Sequence, residues 1–469
     1  MSLQFVNQYG KKFPQLVHYQ PISANGRSTA RLFNQSLWQQ LGGESISAQQ
    51  LAQRLDGDSE WSGIAPLAQK YAGHQFGHFN PYLGDGRGLL LGEIKTPANM
   101  SVDLHLKGAG PTPYGRGGDG RAVLRSSIRE YLASEALAAL GIPTSRALLL
   151  TSTMGQVQRE TLEPGAMLLR VAKTHVRFGH FEHCYYRQQA TTQAQLWDYV
   201  IEQQWPELRQ ATRQQQFRQV MQATALMIAL WQAYGFVHGV MNTDNMSLVG
   251  ETFDFGPYAM LDTYQPDKIF NHTDHSGRYG FMQQPSIGLW NLQRLQVALS
   301  LSMDVAPFTQ VLDEYEGFIQ QCYFEQMRQR LGLTQVDSHV AQHLVATWLE
   351  LLQQQQLDYH RSFIELEAYL KQPGRVTNEL TAVASDWLAA YRQQVPEPDI
   401  AAMQAVNPVV TLRTHLLNDV ISAAEQGNDK PLQDYLTRLE TPFERRFFND
   451  PWALPPADDV PAGSLSCSS

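Results

Sequence analysis

Up to about residue 173, apolar residues gather in short runs set among glycines. GLLLGEI (88–94) and VDLHLKG (102–108) read as β-strands, and MLLRVAK (167–173) reads as another. Between them DGRAVLRSSIREYLASEALAALG (119–141) predicts a helix. Leu124, Ile128 and Leu132 recur on one face, Asp119 is placed to cap it, and Gly141 to end it. From about residue 190 the pattern is helical and glutamine-rich, as in QQQFRQVMQATALMIALWQAYG (214–235) and across 288–370. QQQQ (353–356) reads as a solvated helix face. Residues 1–70 mix loops with short helical patterns, and the Pro-, Asp- and Ser-rich FFNDPWALPPADDVPAGSLSCSS reads as an extended tail. Strands first, then one helix, then a helical region predict an α+β chain rather than a doubly wound sheet, because regular βα alternation is absent.

Composition narrows the functional classes. The chain of 469 residues allows one large two-lobed unit or two to three domains. A net charge of -9 argues against a general nucleic-acid partner. The three cysteines, Cys184, Cys322 and Cys467, are too widely spaced for a disulfide framework or a zinc pattern, which suits a reducing compartment. MSLQFVNQYGKKFP lacks the apolar core of a signal peptide, and no apolar run approaches the ~20 residues of a membrane span. A cytoplasmic protein without membrane association is expected.

The chemistry lies in an ordered set of motifs. In LGDGRGLLLGEI, Gly84, Gly86 and Gly88 alternate just before a strand, where backbone N–H groups can approach phosphate oxygens, and Arg87 adds positive charge. Lys107 ends the next strand, 21 residues after Gly86, a separation at which a kinase-like lysine reaches the α- and β-phosphates. An acid on the following helix would hold that lysine. Glu130 and Glu135 compete, and periodicity slightly favours Glu135, which lies near the Leu124–Ile128–Leu132 face. Arg170, Lys173 and Arg177 then offer three cations within eight residues, suited either to phosphate oxygens or to a solvated edge.

The stretch FVHGVMNTDNMSLVGETFDFG (236–256) resembles the catalytic half of a kinase. Asn245 follows His238 by seven residues, and Asp254-Phe255-Gly256 begins nine residues later. Asparagine and aspartate give hard oxygen ligands for Mg²⁺, with Mn²⁺ equally acceptable. Two residues after the histidine, where a kinase places its aspartate, stands Val240, which cannot accept a proton. Asp244 can, unless it only forms the NTDN turn. Two further motifs carry histidines: HQFGH, whose His74 and His78 have a zinc-like spacing but too much glycine for a regular helix and no evident third ligand, and HTDHSGRYGF (272–281), which reads as a turn or an activation-segment-like loop.

KYAGHQFGHFNPYLGDGRG, LHLKGAGPTPYGRGGDGRAVLRSSIREYLASEAL, YGFVHGVMNTDNMSLVGETFDFGPYAMLD and NHTDHSGRYGF together resemble the selenoprotein O family, also called the YdiU family. The resemblance implies a bilobal protein-kinase-like fold with a sheet-rich N-lobe (71–187), a helical C-lobe (188–365), an N-terminal extension (1–70) and a C-terminal helical extension and tail (366–469). It implies an ATP-dependent protein adenylyltransferase. ATP is held flipped relative to kinases, and AMP passes to Ser, Thr or Tyr hydroxyls of protein substrates, the enzyme itself among the candidates. By matched position Gly84, Gly86, Arg87, Asp119, Gly120, Arg170, Arg177 and Asp254 would contact nucleotide, and Lys107 would pair with Glu130. Asp244 would be the base, and Asn245 and Asp254 would hold the metal. Cys467 occupies the third-from-last position, where animal members carry selenocysteine and some bacterial members bridge to a cysteine just before NHxDH; that position here is Phe270. Two other readings of the motifs are a phosphotransferase, because HGxxxxDN…DFG also resembles aminoglycoside-kinase-like loops, and a non-catalytic pseudokinase scaffold.

Overall fold

In the computed structural model, which describes residues 3–58, 61–372 and 378–457, the first part of the chain builds an antiparallel sheet. Its strands are β1 (Val17–Tyr19), β2 (Ser28–Phe33), β3 (Leu67–Gln75), β4 (His78–Gly84), β5 (Gly88–Lys95), β6 (Ser101–Lys107), β7 (Ala122–Val123), β8 (Arg146–Gln158) and β9 (Leu162–Ala172). The order is β1-β3-β5-β6-β9-β8-β2, with β4 paired to β3 and β7 to β9. The apolar runs at 88–94, 102–108 and 167–173 fall in β5, β6 and the end of β9.

Both faces of this sheet are covered, and that is why its strands read as unbroken apolar runs. Leu89 and Leu91 join a core with Trp38, Leu51, Leu55 and Trp61, supplied by the helices Gln35–Gln40 and Ala48–Asp56 and the chain just after them. Leu90 joins the opposite core with Ile128 and Leu132 of the helix Leu124–Ala139. Successive strand side chains alternate faces, so three adjacent leucines serve two cores. Residues 1–70 supply β1 and β2, the two ends of the strand order, and residue 70 falls inside β3.

The helix predicted from Asp119 begins at Leu124. Ala122 and Val123 pair with Ala166 and Gly165 of β9, and this ladder holds the backbone extended beyond the expected start. Asp119 is therefore not a cap; it pairs with Arg159 at 2.8 Å. Gly141 does follow the helix end, at φ 76°. The helices Thr414–Glu425 and Lys430–Glu440 also pack against this helix, and its residues 127–137 are all buried.

The chain after residue 178 is largely helical. Thr212 and Gln215 form a capping box that opens the helix Arg213–Tyr234. After it, β10 (Phe236–Val237) pairs antiparallel with β11 (Ala259–Met260), closing the loop between them. His238 Nε2 lies 3.0 Å from the carbonyl of Phe253 and ties the start of that loop to the residue before Asp254. Gln353–Gln356 are exposed at the end of the helix Ser338–Gln354. The expected extended tail is folded as far as Ala453: Pro451–Ala453 form a turn, Ala453 is buried, and Trp452 stacks on Tyr435 with centroids 4.9 Å apart. Cys467 lies outside the described residues.

Candidate active site

A cavity of about 640 Å³ opens where the β4–β5 turn, the end of β6, the loop 109–121 and β9 face the loop 240–257. Gly84, Gly86, Arg87, Lys107, Asp119, Gly120, Arg170, Arg177, Asn245 and Asp254 all line it. Glu130 and Asp244 do not; they are buried behind lining residues. Lys173, read together with Arg170 and Arg177, does not line it either. Arg116, Arg121 and Arg159 add further positive charge, and the lining carboxylates are Asp85, Asp119 and Asp254. In a chain of net charge -9 this is a local positive field suited to an anion.

Strand register sets the buried cationic part of the cavity lining. His105 of β6 pairs with Arg170 of β9, and Lys107 follows on the same face two residues later. The Lys107 ammonium forms a short ion pair with Glu130. Arg170 Nε lies 2.5 Å from the other oxygen of Glu130, and its Nη1 lies 3.2 Å from Asp254. Arg177 forms a second, short ion pair with Asp254 and donates to the backbone carbonyl of Asp244 at 2.7 Å. The rings of Tyr71 and Phe253 flank the Arg177 guanidinium at 4.5 and 4.6 Å.

Periodicity leaned towards Glu135, but the pair with Lys107 is made by Glu130. Glu135 instead binds Arg146 at 2.5 Å and accepts the N–H of Ala147. The reason is burial: the helix is enclosed on nearly every side, so its apolar stripe does not mark the side that meets Lys107.

These contacts shift the titrations. Burial draws the Lys107 ammonium down to about 8, against the pull of Glu130. Burial alone would raise Asp254, but the Arg177 and Arg170 guanidiniums outweigh it and hold its carboxyl well below the usual range. Burial pushes Asp244 up to about 7, with Arg177 opposing. A carboxylate poised there can take a proton at neutral pH. Asp254 also sits at φ 58°, a left-handed conformation costly for a residue with a Cβ and concentrated at functional sites.

Asn245 donates its side-chain amide to the Val240 carbonyl at 3.0 Å, and its Oδ1 accepts no bond among the described residues. With Asp254 it presents one carbonyl and one carboxylate oxygen. That set fits a hard divalent cation completed by phosphate oxygens and water. Among the described residues no group of three or more His, Cys, Asp or Glu side chains is placed to hold a metal. His74 and His78 stand on the two limbs of the β3–β4 hairpin, and His74 pairs with Glu182. In HTDHSGRYGF, Asp274 accepts the N–H groups of Arg278 and Tyr279, which builds a turn.

A family model described as protein adenylyltransferase SelO matches residues 1–440. The chain belongs to the SelO family. A protein nucleotidyltransferase YdiU of Chromohalobacter salexigens is 50% identical over 429 residues, covering 89% of this chain and 86% of the relative. One from Klebsiella pneumoniae is 43% identical over 488 residues, across 100% of both chains. This SelO-family chain is therefore a nucleotidyltransferase, an enzyme with a nucleotide substrate. No helix among the described residues is long and apolar enough to cross a membrane.

The sequence did not single out Tyr71, Asp85 or His105 as site residues, although all three line the cavity. Asp85 accepts the N–H of Gln69 at 2.9 Å and lies 3.5 Å from His105. Asp85 sits inside the glycine motif, so its position could have flagged it. Tyr71 reaches Arg177 only through the register of β3, which no local pattern reports.

Proposed function

We propose that the protein moves AMP from ATP to Ser, Thr or Tyr hydroxyls of cytoplasmic proteins, itself among them, and releases pyrophosphate. The carrying observation is that Arg170 and Arg177, only 6% and 2% exposed, both line the cavity and converge on one carboxylate. Two buried arginines fixed side by side suit the most anionic part of a triphosphate. ATP held that way is flipped relative to kinases, with its γ-phosphate inward and its α-phosphate towards the opening. The reading carries with it a kinase-like bilobal arrangement: lobes 71–187 and 188–365, and extensions 1–70 and 366–469.

The acceptor hydroxyl oxygen attacks the α-phosphorus, the bond to the α–β bridging oxygen breaks, and the hydroxyl proton passes to Asp244. Lys107, held by Glu130, neutralises phosphate charge, and the glycine turn with Arg87 positions the nucleotide. Asn245 and Asp254 would hold Mg²⁺ or Mn²⁺, which when bound offsets charge on the phosphate oxygens. Val240 lines the cavity where a kinase keeps its base, an apolar side chain that leaves γ-phosphoryl transfer without a proton acceptor at that point.

Mass spectrometry of the protein incubated with ATP and divalent cation tests this. An AMP-sized adduct is expected on wild type and none on Asp254→Ala. A phosphate-sized adduct without the AMP-sized one overturns the reading in favour of a phosphotransferase. Target modification left intact in Asp254→Ala overturns it in favour of a non-catalytic scaffold.

A further inference from the structure

The HQFGH turn grips the loop that carries Asp244. It forms the β3–β4 hairpin, and three successive hairpin residues bond three successive loop residues. The His74 N–H donates to Thr243 Oγ1 at 2.6 Å, the Gln75 side-chain amide to Asp244 Oδ2 at 3.1 Å, and the Phe76 N–H to Asn242 Oδ1 at 3.1 Å. Glu182 supports the grip from the helix Phe178–Tyr186, accepting the Thr243 hydroxyl and contacting His74 Nδ1, each at 2.5 Å. Gly73 packs directly on Asp244: a Cβ there would stand 2.7 Å from Asp244 Oδ1, nearer than real Cβ contacts come, and 3.0 Å from the Asp244 backbone nitrogen.

Gln75 has a fixed orientation. Asn80, on β4, donates its amide to Gln75 Oε1 at 3.3 Å, which leaves the NH₂ end of Gln75 facing Asp244. The Asp244 backbone carbonyl is held separately by Arg177. Its second carboxylate oxygen, Oδ1, is buried beside Gly73 and has no hydrogen-bond partner among the described residues. Gln75 itself does not line the cavity.

We infer that Gln75 is a positioning residue for the transfer reaction: its amide, oriented by Asn80, pins one oxygen of Asp244 and so fixes the plane of the carboxylate that takes the hydroxyl proton. The inference rests on Asp244 being the proton acceptor. A carboxylate turns readily about its Cβ–Cγ bond, and one donor on one oxygen stops that rotation. Proton transfer depends on such alignment, because acceptor and hydroxyl must lie within hydrogen-bond reach.

A double-mutant cycle on the full chain tests it, with Gln75→Met, Asp244→Ala and both together. Gln75→Met is expected to lower kcat roughly tenfold while the KM for ATP stays within about twofold. In the Asp244→Ala background the same change is expected to cost less than about twofold, since no carboxylate remains to be held. Asn80→Ala should give a smaller loss of the same kind. Gln75→Glu keeps the side-chain size, removes the donor and supplies a second variant should Gln75→Met fold poorly; it should show the same dependence on Asp244. An undiminished kcat in both Gln75 variants, an equal cost in both backgrounds, or a raised KM in place of a lowered kcat would each overturn the positioning role and leave the base role standing. Full kcat in Asp244→Ala would remove the base role, and the positioning role with it.

Discussion

Arg170 Nε lies 2.5 Å from Glu130 Oε1, so the carboxylate that pairs with Lys107 also holds a cavity-lining arginine. All three side chains are buried, and removing Glu130 leaves two cations without their shared anion. Glu130→Ala is expected to lose about 3–5 kcal/mol of stability, the usual cost of breaking a buried pair on one side. ATP should raise the melting temperature of this variant more than that of wild type, because the nucleotide phosphates replace the missing charge. Thermal melts with and without ATP check both points.

Asp244→Ala is expected to lower kcat by ~10²–10⁴-fold, the range of a general base. ATP affinity should hold within about twofold, since Asp244 is outside the cavity lining. Nucleotide titration beside the transfer assay separates the two; an equal loss of ATP binding would contradict the role.

Glu251 gives a stability prediction with a definite sign. Burial pushes its carboxyl up to about 7, against the pull of Lys173, whose N–H it accepts at 2.9 Å. A carboxyl raised in the folded state favours folding while protonated and costs stability as pH climbs from the unfolded value through the folded one. Glu251→Gln keeps an acceptor for Lys173 and removes that cost. The variant should match wild type near pH 4.5 and exceed it by roughly 1–3 kcal/mol at pH 8, measured by denaturant titration at the two pH values.

The cysteines should differ sharply in reactivity. Cys184 is fully buried, and burial pushes its thiol up to about 12. Cys322 is only half-buried. Iodoacetamide at neutral pH should modify Cys322 in the native protein and Cys184 only after denaturant is added. Equal labelling rates would show that the Cys184 region opens readily. Phe270, at the position before NHTDH, is buried under the Lys268 ammonium and offers no thiol there.

What the chain revealed on its own was local. β5, β6 and the end of β9 stood out because apolar side chains on both faces leave an unbroken run, and Lys107, Asn245 and Asp254 stood out through short fixed spacings. What it hid was non-local. β1 and β2 reach the two ends of the strand order through pairings that no sequence window contains. Asp119 lost its cap because β7 pairs with β9 and delays the helix. Period slightly favoured Glu135 over Glu130, the residue that makes the pair, because the enclosed helix has no single buried stripe. Gln75 meets Asp244 only when the hairpin folds over the loop.

A structure with a non-hydrolysable ATP analogue and Mg²⁺ tests the flipped binding most directly. The γ-phosphate is expected inside, on Arg170 and Arg177, with the α-phosphate towards the opening and within reach of an acceptor held near Asp244. A triphosphate running outward past Asp244, with the adenine inside, would contradict AMP transfer as proposed here.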